Sequence, residues 1–233
     1  MKIVTNKSFV LNDSNCTFIR IQPGDLSITI KNILIQIADL SWLNKIASDP
    51  LKRAFSQNAS ATLLDLTAKF NNAADDSTIK SVSGEYIVSV LTKEAIIYYK
   101  NHIDVPLMEL LGRKKTGNPG FDFYTEDGEP NFLIFCGEAK YQNNSNAYGS
   151  SIKQIKEFIR DNKHVADLTI IRDFVSEESQ NNLIKNSFGV SSGFSSVSST
   201  SDDSLINNIS KNPNFVDLLS SCKNILLVAV DLS

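Results

Sequence analysis

The sequence predicts an α/β fold: a mixed central sheet flanked by helices, with an N-terminal α+β elaboration before it. Three observations predict this. The apolar period switches between about two and about 3.6 several times along the chain. Two apolar runs, 132–136 and 225–230, read as buried strands. A long segment of helical spacing, 78–100, precedes the first of them.

From the N-terminus, Phe18-Ile19-Arg20-Ile21 and Leu26-Ser27-Ile28-Thr29-Ile30 alternate and read as strands, split by the turn signal Pro23-Gly24-Asp25. Residues 33–70 read as helical, and Asn71 to Asp76 reads as a break. The helix over 78–100 keeps Ile79, Val82, Tyr86, Val90 and Ile97 at helical intervals and is expected to be amphipathic. Asp104 to Leu111 reads as a strand, Gly117-Asn118-Pro119-Gly120 as a turn, and Phe121-Asp122-Phe123-Tyr124 as a short strand. Asp127-Gly128 signals a hairpin into the run 132–136. Helical spacing returns at 148–161, with Ile152, Ile155, Phe158 and Ile159 on one face, and another helix is expected over roughly 165–187. Between Gly189 and Ser204 half of the residues are serine, 8 of 16, which predicts a flexible surface loop. The expected organisation is an elaboration over 1–77 and a core over 78–233.

Composition narrows the function classes. The chain has 233 residues, a formal net charge of −3 and 21% charged residues, an ordinary globular balance. Cys16, Cys136 and Cys222 are scattered and form no Cys-x-x-Cys pattern, so neither a disulfide framework nor a cysteine zinc site is expected. With two histidines, His102 and His164, a His-rich metal site is excluded. No secretory signal or membrane span is read at this stage, and a cytoplasmic location is expected. Gly112 to Gly117 has the spacing of a phosphate loop, but Asn118 and Pro119 stand where Lys and Ser/Thr are required.

The chemistry gathers at the end of the central strand. Apolar residues 132–136 give way to Gly137-Glu138-Ala139-Lys140, and strand alternation puts Glu138 and Lys140 on one face. Charges at the end of a buried strand carry a desolvation cost unless they meet a partner or an ion. Asp122 lies 16 residues upstream, and a hairpin through Asp127-Gly128 brings it toward Glu138. Phe121 and Phe123 are expected on one side of their strand and Asp122 on the other. Two carboxylates and a backbone carbonyl, that of Ala139, suit an oxygen-seeking divalent cation, Mg²⁺ with Mn²⁺ as its substitute. Lys140 then orients the attacking water or offsets charge on the phosphoryl group. The plainer reading is a structural ion pair at a strand end.

Asp122…Glu138-Ala139-Lys140 resembles the PD-(D/E)xK nuclease signature, with Gly120-Phe121-Asp122 in place of Pro-Asp. More narrowly, Ser83-Gly84-Glu85, Gly120-Phe121-Asp122 and Gly137-Glu138-Ala139-Lys140-Tyr141 resemble the HamA family, the nuclease subunits of Hachiman anti-phage defence systems. The resemblance covers roughly residues 78–233. It implies a restriction-endonuclease-like core, metal-dependent DNA cleavage, and a superfamily-2 helicase as partner. It also implies that Glu85, on the first core helix, completes the metal site. Gln154, followed by Phe158 where relatives carry tyrosine, is a weaker addition. Arg113-Lys114-Lys115 is a candidate contact to DNA phosphates beside the site. Residues 1–77 are left as a partner-docking region by elimination. A different class also fits: a non-catalytic adaptor or DNA-docking subunit with a degenerate nuclease fold. A third is a restriction enzyme acting alone as a homodimer.

Overall fold

The structure, a computed structural model, describes residues 1–73, 75–112 and 120–232. Its elements are β1 (Lys2–Leu11), β2 (Ser14–Gln22), α1 (Leu26–Ala38), a short 3-10 helix at Ser41–Lys45, α2 (Asp49–Asn72), α3 (Asp76–Lys100), β3 (Ile103–Asp104), β4 (Phe123–Asp127) and β5 (Leu133–Lys140). The second half adds α4 (Tyr148–Arg160), α5 (Lys163–Ile171), α6 (Glu177–Ile184), β6 (Gly189–Ser196), α7 (Asp202–Ser210), α8 (Pro213–Ser221) and β7 (Asn224–Asp231).

The strands form one mixed sheet in the order β1-β2-β7-β6-β5-β4-β3. β2, β7, β6 and β5 run parallel to one another, while β1 and the β4–β3 edge are antiparallel. Helices α4 to α8 occupy the crossovers from β5 to β6 to β7, as parallel strands require. They bury Ile152, Ile155, Phe158, Leu205, Phe215 and Leu218 with one face of the sheet. α3 lies on the opposite face, and α1 and α2 pack against it.

The predicted mixed sheet with flanking helices is present, and several elements depart from the sequence reading. Leu26 to Ile30 begins α1 instead of a strand. The Asp25 carboxylate accepts a hydrogen bond from the Ile28 N–H (3.1 Å) and caps the helix. Ile30, Ile33 and Ile37 then fall on one buried stripe. The stretch Leu26–Lys45 is long and apolar enough by composition to cross a bilayer, although that stripe of α1 faces the protein core.

α3 is buried on more than one side through its second half, because α1 and α2 cover the face that the spacing left to solvent. Of the expected strand 104–111 only Asp104 pairs with β4, in a two-residue strand that begins at Ile103. Pro106 cannot donate to a ladder, and beyond it the chain turns, with the Leu110 N–H bonded to the Leu107 carbonyl. The expected helix over 165–187 is two helices, with Ser176 capping α6.

The largest correction concerns the serine-rich segment. Residues 189–196 are β6, a strand buried at every position and flanked by β5 and β7. Only 197–201 is a connecting turn, and α7 follows. The N-terminal strands extend the same sheet, with β2 directly beside β7.

Candidate active site

Asp122 sits where the chain bends just before β4. Its N–H donates to the Gly137 carbonyl (2.9 Å), and its own carbonyl accepts from the Met108 N–H (3.1 Å). Its Oδ2 accepts from the Ala139 N–H at 2.8 Å. Asp122 is therefore fastened to β5 on both sides of Glu138. The bend also corrects one expectation. Phe121 and Phe123 enter opposite apolar layers, because strand alternation starts only at Phe123. Gly137 has no side chain for a steric reason: a Cβ there would overlap the Phe123 ring.

Glu138 is 1% exposed, and neither carboxylate oxygen has a hydrogen-bond partner. Lys140 Nζ lies 3.1 Å from Glu138 Oε1 and 3.4 Å from Glu85 Oε1. The first contact is an ion pair by distance without the alignment of a hydrogen bond. Lys140 thus bridges the end of β5 and α3. The main chain of Glu138 is held from behind. Ser151 Oγ on α4 donates to the Glu138 carbonyl (2.9 Å), and Ser192 Oγ on β6 donates to Ser151 Oγ (2.9 Å).

Glu85 reaches this point through a close approach. A Cβ on Gly84 would stand 2.5 Å from the ring of Tyr141, the residue after Lys140. The ring lies flat enough on α3 that only glycine fits beneath it. Glycine in a helix interior costs roughly 0.5–1 kcal/mol relative to alanine. The close seat of β5 on α3 is what that cost accompanies.

The electrostatics follow from burial of like charge. Desolvation pushes the Asp122 carboxyl up to about 7; the Ala139 N–H and Lys140 pull against it, and Glu85 and Glu109 add to the rise. Desolvation, then the neighbouring Asp122, holds Glu138 well above the ordinary range against the pull of Lys140. Burial lowers the Lys140 pKa, and the carboxylates of Glu138, Glu85 and Asp122 outweigh it, so the ammonium is stabilised. Two adjacent carboxyls with raised pKa values and a retained cation form an arrangement common at functional sites.

Asp122 and Glu85 line a small cleft of about 60 Å³ with Tyr86, Ser89, Leu107 and Glu109, and Glu138 and Lys140 are not among its lining residues. The cleft shares Glu85, Tyr86 and Glu109 with a polar groove of about 620 Å³ running past Tyr141 toward Asp65 and Lys69. A mostly apolar cavity of similar size, about 630 Å³, lies elsewhere, beside Trp42 and Lys93, and contains none of the four predicted site residues.

The structure brings Asp122, Glu138, Ala139, Lys140 and Glu85 together at one sheet end. Ala139 takes part through its N–H, and its side chain is buried on the α3 side. Among the described residues, no three His, Cys, Asp or Glu side chains are drawn close enough to form a ready metal cage. Glu85 instead meets Lys140. Gln154, partly buried on α4, lines neither the cleft nor the groove. Arg113, Lys114 and Lys115 lie outside the described residues.

Sequence reasoning missed Glu109, an acid inside the apolar stretch Leu107 to Leu111, which the turn after Pro106 delivers to the cleft. Its lone charge between apolar neighbours was the available signal. It also missed Ser151 and Ser192, which no motif marks. No protein-family model matches the chain, and no curated protein matches it.

Proposed function

We propose that this chain is a metal-dependent nuclease of the PD-(D/E)xK type that hydrolyses phosphodiester bonds in DNA. The observation that carries the reading is the buried Glu138 carboxylate, whose Oε1 meets only the Lys140 ammonium at 3.1 Å and whose Oε2 has no partner among the described residues, while Asp122 is pinned alongside. In a purely structural ion pair the second oxygen would also be satisfied, because an unsatisfied buried acceptor costs about 1–3 kcal/mol. Oxygen donors that the protein leaves unsaturated, next to a second carboxylate, fit a hard divalent cation.

Asp122, Glu138, the Ala139 carbonyl and Glu85 are the groups that would hold Mg²⁺ or Mn²⁺. When bound, the cation supplies Lewis-acid stabilisation of the phosphoryl oxygens and makes water more acidic. The protein's own groups do the remainder. Asp122 and Glu138 orient the reacting end through main-chain anchors at Gly137, Ala139 and Ser151. Lys140 places its ammonium beside both acids, where it orients the attacking water and offsets negative charge on the phosphorus centre. The Gly84–Tyr141 contact keeps α3 close enough for Glu85 to join.

The proposal extends to biological setting. The chain acts as the effector of a prokaryotic anti-phage system, with a superfamily-2 helicase delivering DNA to it. The motif resemblance supports this. So does the net charge of −3, which gives little bulk attraction for a polyanion. A second reading, a non-catalytic adaptor, draws on Lys140 already neutralising Glu85 and Glu138.

The test is cleavage of plasmid and linear DNA in Mg²⁺ or Mn²⁺, beside Glu138→Ala and Lys140→Ala, alone and with the helicase and ATP. Metal-dependent cutting that both variants lose is the expected result. No cutting in any arm, together with no Mn²⁺-dependent thermal shift that Asp122→Ala removes, establishes the adaptor.

A further inference from the structure

A second, smaller pocket of about 130 Å³ lies one residue beyond Lys140, lined by Lys80, Tyr141, the loop Gln142 to Ser145, and the end of β6. Its character is opposite to that of the cleft. Among the described residues its lining contains no carboxylate, whereas the neighbouring groove carries Asp65, Glu85 and Glu109. Lys80 is partly buried and makes no ion pair among the described residues. Ser195 and Ser196 at the end of β6 complete its wall.

The loop is held in place, so its donors are fixed in advance. The Gln142 N–H donates to Ser195 Oγ, which donates back to the Gln142 carbonyl. The Gln142 side chain is tied to Ser145 and Ser150, and the Asn146 side-chain oxygen accepts from the Val197 N–H. Asn144 has a left-handed backbone (φ 58°) that turns the loop. Two amide side chains remain uncommitted. Asn143 uses only its oxygen, toward the Tyr141 hydroxyl at 3.5 Å, and Asn144 makes no side-chain hydrogen bond.

An ammonium and two amide NH₂ groups around a pocket the size of about four waters suit one oxyanion. We propose that this pocket is a phosphate subsite that holds a backbone phosphodiester of the substrate strand next to the one cleaved. The assignment rests on the nuclease reading for the identity of the anion. Tyr141 lines both this pocket and the groove, so a strand leaving the cleft along the groove passes its ring to reach Lys80. The subsite fixes register and carries no sequence information, as phosphate contacts do.

The test is a ¹⁵N-resolved NMR titration of the whole chain with the dinucleotide TpT, which has one phosphodiester and no terminal phosphate, and separately with inorganic phosphate. TpT is expected to shift the Asn143 and Asn144 side-chain amides and the Ser196 amide. Lys80→Ala is expected to weaken this about tenfold, the effect of one lost charge-assisted contact, with Mn²⁺ affinity unchanged. Lys153→Ala, an exposed lysine on α4, serves as the control and is expected to change neither. No shift at these residues, or equal shifts in Lys80→Ala, overturns the subsite. Binding of inorganic phosphate without TpT overturns its role in holding a strand. Loss of the nuclease reading shows separately, as absence of Mn²⁺ binding in the unmodified protein.

Discussion

Gly84 is the position where one atom decides the most. A methyl group there collides with Tyr141, and Tyr141 is covalently next to Lys140. Gly84→Ala is expected to lower Mn²⁺ affinity about tenfold by lifting β5 from α3, even though alanine is the better helix former. Adding Tyr141→Ala is expected to restore most of it. Calorimetric titration beside thermal melts reads the two effects apart; unchanged metal affinity in Gly84→Ala would sink the idea. Asp122→Asn keeps an acceptor for the Ala139 N–H and removes one buried charge. It is expected to raise the melting temperature of metal-free protein at pH 8 and to abolish the Mn²⁺ shift.

At the scale of elements, β6 shows how a polar sequence becomes a central strand. Gly193 lets the strand lie against Thr92 of α3, where a Cβ would overlap. Its serines are small enough for the same close packing, and two of the four, Ser192 and Ser195, reach a partner. Adjacent positions nevertheless differ. Ser192 Oγ donates to Ser151, whereas Ser191 Oγ is buried without a partner. Ser191→Ala is therefore expected to stabilise the protein by about 1 kcal/mol, because an orphaned hydroxyl carries only desolvation cost. Ser192→Ala is expected to destabilise it by a similar amount, about 1 kcal/mol. Urea denaturation of both variants checks the pair, and two changes of the same sign would refute the account.

At the scale of the whole molecule, the site makes stability depend on pH and metal together. In the metal-free protein the Asp122 pKa stands at about 7 against an ordinary 3.8. Between those values the folded state binds more protons than the unfolded chain, so stability falls as pH rises through that window and levels above it. Glu138 acts in the same direction and carries the fall to higher pH. A cation competes with those protons, so the Mn²⁺-induced rise in melting temperature is expected to grow with pH over the same range. Thermal scans from pH 5 to 8, with and without Mn²⁺, measure both slopes. The sheet also makes the N-terminal segment integral. Phe18, Ile19 and Ile21 of β2 are fully buried beside β7, each contributing roughly 1.5–3 kcal/mol. Residues 78–233 expressed alone are expected to lack cooperative unfolding by circular dichroism.

Much of this was legible in the sequence. The apolar runs of β5 and β7 and the buried face of α4 follow from periodicity, because side-chain spacing and backbone period are the same geometry. Asp122, Glu138 and Lys140 were legible because charges beside apolar strands demand a reason, whereas Glu85 came from the motif resemblance alone. The tertiary structure decided the rest. Whether Ile28 to Ile30 joins a helix depended on one cap at Asp25, and whether a serine-rich segment is loop or strand depended on neighbours hundreds of atoms away. Glu109, Ser151 and the Gly84–Tyr141 seat belong to contacts between distant segments. No local pattern encodes such contacts, because the chemistry that fixes them exists only once β5, α3 and α4 have met.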